Sequence, residues 1–341
     1  MSKGKILVTG GCGYIGSHTI VDLIENGYDV SCVDNLSNST EAALVGIKTI
    51  TGANIINHSI DLADRAKTLA FFAQHQFDGV IHFAALKLVG ESVEQPLEYV
   101  RNNVNSLLNV IEGQALAGNS NVVFSSSCSV YGNADELPVT ETTPRKEAES
   151  PYARTKQMGE DILYDYCKPN PDFKAVILRY FNPAGAHESG ALGESPSAPP
   201  SNLVPVITEV AIGKRPEMTV FGDDYDTRDG SCIRDYIHIM DLAHAHTLAV
   251  EHLLSGQQTE NPALFNLGIG EGLTVLEVIR AFEKTTEQKL NYKIGPRRAG
   301  DVVAVYADKA KASKVLGWEP SRGVESIMAS AWAWEQNRSR E

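Results

Sequence analysis

The stretch that most constrains the fold of this chain lies at residues 5–25, with the sequence KILVTGGCGYIGSHTIVDLIE. It opens with a short run of branched apolar residues, which is typical of a strand buried on both faces. Gly10, Gly13 and Gly16 then form a turn, and an amphipathic helical pattern follows. Glycines permit a tight turn and close approach of a ligand to the backbone, and a helix N-terminus presents free N–H groups to a pyrophosphate. The stretch therefore predicts the opening of a dinucleotide-binding unit.

An acidic residue follows at the distance that such a unit requires. Asp34 ends the next predicted strand, residues 29–33, about twenty residues beyond the glycines. A carboxylate at this point pairs with the 2′-hydroxyl of the adenosine ribose and repels a 2′-phosphate. Asn35 beside it supplies no positive charge, so we expect the cofactor to be NAD rather than NADP.

Strands and helices alternate regularly through the first half of the chain. The predicted strands are residues 6–8, 29–33, 54–59, 79–83, 121–126 and 175–180. Six strands separated by helices predict an α/β fold with a doubly wound parallel sheet, in which ligands bind at the carboxyl ends of the strands. Segment 181–202 is rich in small residues and proline and is too long for an ordinary connection. The shorter elements after it, including a strand at 263–267, predict a smaller C-terminal lobe that covers the strand ends.

Charge and cysteine content exclude several classes of partner. The net charge of −13 argues against nucleic acid or an anionic membrane as the main partner, because both require a basic surface. No apolar run approaches the ~20 residues of a membrane span. The five cysteines are scattered without a CxxC pair, so we expect no metal site and a reducing, cytoplasmic location.

The candidate chemistry lies at the start of a predicted helix over residues 151–168. Tyr152 and Lys156 stand four residues apart and therefore share one face of this helix. An ammonium group stabilises a phenolate, so we expect Lys156 to lower the pKa of Tyr152, and a bound nicotinamide cation to lower it further. The preceding strand ends in Ser125-Ser126-Ser127, which places hydroxyl groups at the same edge of the sheet. The combination favours a base that faces a nicotinamide.

Several motifs carry a resemblance to a known family. They are TGGCGYIGSH, the pair DN at Asp34-Asn35, HFAALK, SSSCSVYG, SPYARTK and RYFNPAGAH. With them the chain resembles an extended short-chain dehydrogenase/reductase with a Rossmann-like fold. RDYIHIMD and RRAGDV narrow the resemblance to the UDP-glucose 4-epimerases (UDP-galactose 4-epimerases). The motifs occur in order over nearly the whole chain.

The resemblance implies a role for each matching position. The cofactor residues would be Gly10, Gly13, Tyr14, Ile15 and Gly16 at the pyrophosphate, Asp34, Asn35, Asn38 and Ser39 at the adenosine ribose, Asp61 and Leu62 at the adenine, and Phe83, Ala84, Ala85, Lys87, Asn102 and Phe181 along the cleft. In catalysis, Ser127 would hydrogen-bond the sugar hydroxyl, Tyr152 would act as the base, and Lys156 would hold the nicotinamide ribose. The UDP-sugar contacts would be Asn182, Asn202, Leu203, Arg234, Arg298 and Asp301. The planar guanidinium fork of an arginine suits a diphosphate.

The activity that the resemblance implies is the interconversion of UDP-glucose and UDP-galactose through a 4-keto sugar, without net oxidation. It also implies a division into an NAD-binding domain, residues 1–181, and a UDP-sugar-binding lobe, residues 182–341, with the chain able to cross back between them. Two alternatives remain. A 4,6-dehydratase would need an extra acid–base pair resembling Thr-Asp-Glu where this chain has Ser127-Cys128-Ser129. A dinucleotide-sensing regulator with a dead site is disfavoured by the intact Ser127, Tyr152 and Lys156.

Two further expectations concern substrate range and assembly. The position matching Val305 borders the 2-substituent of the sugar in this family, where a tyrosine looks like a barrier to bulky groups. Valine therefore predicts room for the N-acetyl group of UDP-GlcNAc and UDP-GalNAc, unless Val305 is only an ordinary β-branched strand residue. Similar enzymes pair two helices into a four-helix interface, so we expect a homodimer. Apolar residues beyond one helix face support it: Leu97, Val100, Leu107, Leu108, Val110 and Ile111 on one helix, and Met158, Ile162, Leu163 and Tyr166 on the other.

Overall fold

The structure is a computed structural model that describes residues 2–196, 199–298 and 301–339. Residues 197–198 of segment 181–202 and residues 299–300 of the RRAGDV motif lie outside these ranges. Strands β1–β14 span, in chain order, Lys5–Thr9, Asp29–Val33, Asn57–His58, Gly79–His82, Asn121–Ser127, Lys174–Tyr180, Asn182–Ala184, Met218–Phe221, Ile233–Arg234, Tyr236–His238, Ala263–Leu267, Leu273–Thr274, Tyr292–Gly295 and Ala304–Val305. Helices α1–α11 span Tyr14–Glu25, Ala42–Thr51, Arg65–Gln74, Val89–Glu94, Pro96–Leu116, Pro151–Cys167, Leu203–Ala211, Ile239–Leu254, Val275–Thr286, Ala310–Leu316 and Val324–Arg338.

The main sheet has seven strands in the order β11-β6-β5-β4-β1-β2-β3. Its neighbouring strands pair in parallel throughout. The strand order reverses between β1 and β4, and in such sheets a crevice opens at that point beyond the carboxyl ends of the strands. The predicted doubly wound parallel fold is therefore confirmed, and the reversal indicates where a ligand binds.

The seventh strand corrects one prediction. The sequence analysis placed residues 263–267 in the second lobe, but β11 pairs with β6 along Ala263↔Val176 to Leu267↔Tyr180. Helix α8, which precedes β11, packs against α1 of the first half. The chain thus returns to the main sheet after residue 182. The division into two lobes at residues 181/182 stays a prediction. In that division, the segment that returns to the main sheet is where the chain crosses back between the lobes.

The apolar residues of β1 show how the sheet is buried on both faces. Ile6 and Val8 belong to a core cluster that includes side chains of α1 and α8, whereas Leu7 belongs to a cluster with side chains of α3, α5 and α6. All three side chains are completely buried. Successive strand residues point to opposite faces, so a continuous apolar run requires helices on both sides.

Helix α6 begins at a well-defined cap. The Ser150 hydroxyl accepts a hydrogen bond from the Ala153 N–H at 3.2 Å, and Pro151 occupies the first helical position. A serine cap satisfies a free N–H at the helix start, and proline lacks the N–H that would otherwise go unpaired there. This local sequence therefore fixes Tyr152 in the first turn of α6.

The chain beyond residue 182 also forms small sheets around a separate apolar core. Strand β10 pairs with β7, β13 with β8, and β9 lies between β12 and β14. Their core includes side chains of α7, α9 and α11. Within the described ranges, none of the helices combines the length and apolarity that crossing a bilayer requires.

Candidate active site

A cavity lies at the carboxyl ends of the main sheet, at the strand-order reversal. All the predicted cofactor residues except Phe181 line it: Gly10, Gly13, Tyr14, Ile15, Gly16, Asp34, Asn35, Asn38, Ser39, Asp61, Leu62, Phe83, Ala84, Ala85, Lys87 and Asn102. Tyr152 and Lys156 line the same cavity. The residues that surround this one cavity therefore span more than 140 positions of the sequence.

The glycine turn forms the floor of this cavity. Gly10 has φ +68°, and a Cβ added to it would lie 2.9 Å from the Ala84 nitrogen. A Cβ added to Gly16 would lie 2.3 Å from the Gly10 carbonyl oxygen. Side chains at these positions would fill the turn and push it apart, so the glycines keep the backbone open to a ligand at the start of α1.

The Asp34 carboxylate is held firmly beside the turn. It accepts hydrogen bonds from the Cys12 N–H at 3.0 Å, the Leu36 N–H at 2.9 Å and the Ser39 hydroxyl at 2.8 Å. These three donors orient the carboxylate toward the cavity that it lines. A carboxylate oxygen has further acceptor capacity, so the arrangement leaves lone pairs for a ribose hydroxyl.

Tyr152 and Lys156 lie where the sheet and α6 meet. The Lys156 ammonium donates to the Ser125 carbonyl oxygen at 2.6 Å and lies 5.8 Å from the centroid of the Tyr152 ring. The Ser127 hydroxyl accepts from the Ser129 N–H at 3.2 Å and so caps the turn that follows β5. Tyr152 and Lys156 thus line the cavity together, and Ser127, which is not among the lining residues, lies beside the Tyr152 phenol.

The pKa of Tyr152 differs from the expectation. Burial raises the pKa of the Tyr152 phenol to about 12, the Ser127 hydroxyl lowers it, and the nearby Cys128 thiol raises it. The expected net lowering of this pKa is wrong for the protein's residues alone, because burial outweighs the hydrogen bond from Ser127. Burial also lowers the pKa of Lys156 to about 8, opposed by the carboxylate of Glu160. At pH 7 the lysine is therefore mostly protonated.

A second group of charged residues lies at the small sheet that contains β9 and β14. The Asp301 carboxylate accepts from Arg298 Nη2 at 2.8 Å and from Arg234 Nη2 at 3.4 Å. Arg234 also donates to the Ile233 and Val302 carbonyl oxygens. Two guanidinium groups share one carboxylate, which leaves net positive charge at this point. The neighbouring Arg297 instead pairs with Asp224.

The remaining predicted residues are spread between the two regions. Asn202 lines the cofactor cavity and donates to Glu194 at 3.2 Å. Asn182 begins β7, and Leu203 begins α7 and packs at the lobe core. Phe181 lies outside the cavity lining, in an apolar cluster that also contains Val305. Val305 is the register partner of Arg234 in the small sheet.

The sequence analysis missed several residues that line the cavity. Tyr180 lies close to the Ser125 hydroxyl, and Glu194 and Trp334 line the cavity from segment 185–196 and from α11. Tyr180 ends a strand and could have been found by its position at the sheet edge. Glu194 and Trp334 carry no local signal, because only the tertiary fold brings them to the cleft.

Comparison with known proteins gives a consistent family. The family model described as GDP-mannose 4,6 dehydratase matches residues 7–331. The chain is 47% identical to the UDP-glucose 4-epimerase of Erwinia amylovora over 331 residues, which cover 97% of each chain.

Solved structures are similar over nearly the whole chain. A UDP-glucose 4-epimerase from Stenotrophomonas maltophila, with bound NAD and formylated UDP-arabinopyranose, has a TM-score of 0.95 at 43% identity and covers 99% of each chain. The enzyme from Bifidobacterium longum, in complex with NAD+ and UDP, has a TM-score of 0.93 at 44% identity and covers 98% of this chain and 99% of the other.

Proposed function

Because the chain belongs to the UDP-glucose 4-epimerase family of extended short-chain dehydrogenases/reductases, we propose that it interconverts UDP-glucose and UDP-galactose with NAD as its cofactor. The observation that carries this proposal is the position of Tyr152 and Lys156 in the same cavity as the glycine turn and Asp34. We infer that these two side chains serve as a base and a cation at the nicotinamide end of a dinucleotide site. The five cysteines are free thiols, which suits the cytoplasmic location that we also propose.

The residues present fit NAD. The glycine turn leaves the space that a pyrophosphate needs, and Asp34 offers an acceptor to the ribose. Lys156 would hold the nicotinamide ribose. A bound nicotinamide would supply the reversible hydride acceptor that the reaction at C4 of the sugar requires.

Proton transfer is the task of the chain's own residues. Tyr152 takes the proton from the sugar 4-hydroxyl, and Ser127 hydrogen-bonds that hydroxyl group. The Lys156 ammonium offsets the charge of the phenolate that forms. Arg234 and Arg298 hold the diphosphate, while the pyranose meets few charged groups and turns over in the pocket. Firm binding of UDP with loose binding of the sugar lets hydride return to either face of C4.

The dehydratase alternative carries less weight, although the matching family model bears that description. A 4,6-dehydration requires an acid–base pair to remove water across C5 and C6. At the end of β5 this chain has Ser127-Cys128-Ser129, and burial raises the pKa of Cys128 to about 12. A neutral thiol between two hydroxyl groups supplies neither an acid nor a base of suitable pKa.

The proposed function has a simple test. The purified protein is incubated with UDP-galactose alone, and the nucleotide sugars are separated by anion-exchange chromatography. We expect UDP-glucose to form without added oxidant until the two sugars reach equilibrium. A 4-keto-6-deoxy product would support the dehydratase, and unchanged UDP-galactose in the NAD-loaded protein would support the regulator.

We predict that the protein retains NAD and discriminates against NADP. Asp34 faces the ribose position and would repel a 2′-phosphate. A redox-neutral cycle does not require the cofactor to leave. Denaturing the purified protein and measuring the released nucleotide by mass spectrometry should give NAD. Release of NADP would contradict the role of Asp34. The variant Asp34→Asn should show a smaller preference for NAD over NADP.

We propose that the chain forms a homodimer through α5 and α6. Four of the residues named above, Leu107, Val110, Ile111 and Leu163, are instead buried in the core beneath these helices. The apolar side chains that remain exposed on the two helices are Leu97, Leu108, Leu116, Met158 and Tyr164. Leu108 and Leu116 border a groove with Ile162 and Tyr166. An apolar surface of this kind favours a two-fold partner.

Light scattering at micromolar concentration should give about twice the chain mass of 37.0 kDa. Leu108→Glu should shift the protein toward monomer, because it places a charge in the apolar face. Val315→Glu is a matched control, since Val315 is 44% exposed and Leu108 43%, but Val315 lies on α10. Monomer mass for the unmutated protein would reject the dimer.

A further inference from the structure

Residues 185–196, which we call the strap, contribute part of the lining of the cofactor cavity. The strap follows β7, and a bridge between Ala186 and Gly193 folds it back on itself. Its residues from Ala191 to Pro196 line the cavity. Contacts that hold the strap in place therefore also hold this part of the cavity lining in place.

One contact that holds the strap comes from Trp334 on α11. The indole Nε1–H donates a hydrogen bond to the Glu194 carbonyl oxygen at 2.9 Å. A Cβ added to Gly193 would lie 2.4 Å from Cγ of the indole, so the strap backbone packs directly on the ring. Trp334 itself lines the cavity. One side chain thus both supports the strap and borders the cofactor site.

Further hydrogen bonds join the strap to α11 and α1. Asn337 donates to the Gly190 carbonyl oxygen at 3.1 Å, and the Ala186 N–H donates to the Ser330 hydroxyl at 3.1 Å. At the first residue of the strap, the Tyr14 hydroxyl of α1 donates to the Gly185 carbonyl oxygen at 2.6 Å. Since α1 begins at the glycine turn, the strap connects the C-terminal helix to the pyrophosphate end of the site.

We propose that Trp334 is a positioning residue for the cofactor, which holds the strap against the cavity and so slows the release of NAD. The inference rests on the proposed cofactor site. Outward movement of the strap would break the bond to Glu194 and separate Gly193 from the indole. A redox-neutral cycle proceeds with the cofactor in place, so a closed strap does not limit turnover.

The test compares two tryptophans on one helix. Trp334→Phe removes the donor and leaves the Glu194 carbonyl unpaired, and we expect NAD to leave about tenfold faster. Trp332→Phe is the matched control, because the Trp332 ring packs on Phe282 in the core of the second lobe at 5.8 Å. Each NAD-loaded protein is mixed with excess NAD glycohydrolase, which destroys released NAD, and the bound NAD is measured over time.

A second variant changes the strap residue of the same contact. Gly193→Ala should press a methyl group against the indole and accelerate release while leaving the sequence of α11 unchanged. Activity lost from either variant on gel filtration should return when NAD is added, with thermal unfolding close to that of the unmutated protein. Equal release rates for Trp334→Phe, Gly193→Ala and the unmutated protein would overturn the inference. Failure of the unmutated protein to hold any NAD would contradict the proposed function and this inference with it.

Discussion

Replacing Tyr152 by phenylalanine is expected to lower the turnover of UDP-galactose by about 10²–10⁴-fold, the usual contribution of a positioned acid–base group. The substitution removes the phenol oxygen that takes the proton from the sugar 4-hydroxyl. Tyr152 lines the cofactor cavity beside Lys156, whose ammonium can offset the charge of the phenolate. The ring remains, so the first turn of α6 should keep its packing.

Turnover is measured under saturating UDP-galactose, together with the NAD content of the variant. We expect the NAD content to stay near that of the unmutated protein. Tyr292→Phe is the control, because Tyr292 lies on β13 and is 40% exposed. If Tyr152→Phe turned over at nearly the unmutated rate, another residue would have to be the base.

The second large effect is expected at Val305. We propose that the enzyme also epimerises UDP-GlcNAc and UDP-GalNAc, and that Val305→Tyr lowers kcat/KM for UDP-GalNAc by about 10²-fold or more with a much smaller loss for UDP-galactose. Val305 pairs in register with Arg234 and packs in a cluster with Phe181 and Cys128. Its neighbours are therefore Arg234, a proposed diphosphate ligand, and Cys128, the residue after Ser127. A tyrosine ring there would occupy the space that the N-acetyl group needs.

Overpacking of this cluster is the competing effect, because Val305 is only 6% exposed and extra atoms in a packed region destabilise by ~1–3 kcal/mol. Thermal unfolding of the variant separates the two effects. Val303→Tyr is the control, since Val303 is 40% exposed two residues away. Equal loss for both substrates in Val305→Tyr, or no N-acetyl turnover by the unmutated protein, would show that Val305 does not select the sugar.

The first half of the fold was predictable because its signals are local. The apolar run, glycine turn and helix of residues 5–25 predict β1, its turn and α1 without reference to any other part of the chain. The start of α6 is equally local, since Ser150 and Pro151 define it. These two stretches supply the glycine turn and Tyr152. The central part of the candidate site was therefore predictable from the sequence.

Features that depend on distant contacts were not predictable. The strand Ala263–Leu267 reads as an apolar run, but its pairing with β6 joins residues more than 80 positions apart. Short helix α4 has little apolar pattern of its own, so the sequence analysis does not predict it. The contact of Trp334 with Glu194 joins residues 140 positions apart.

The pKa shifts of Tyr152 and Lys156 were not predictable from the sequence for a related reason. The spacing of Tyr152 and Lys156 predicts that the two side chains share a helix face, but it says nothing of how deeply they are buried. Burial decides the direction of both pKa shifts, upward for the tyrosine and downward for the lysine. Depth of burial is a property of the whole fold.

The fate of hydrogen at C4 tests the central claim most directly. UDP-galactose carrying deuterium at C4 is incubated with the enzyme in ordinary water, and the UDP-glucose formed is analysed by mass spectrometry and NMR. The account predicts that deuterium stays at C4 of the product, because it leaves as hydride to a cofactor that remains bound and returns to the same carbon. Replacement of the deuterium by solvent hydrogen during epimerisation would contradict it.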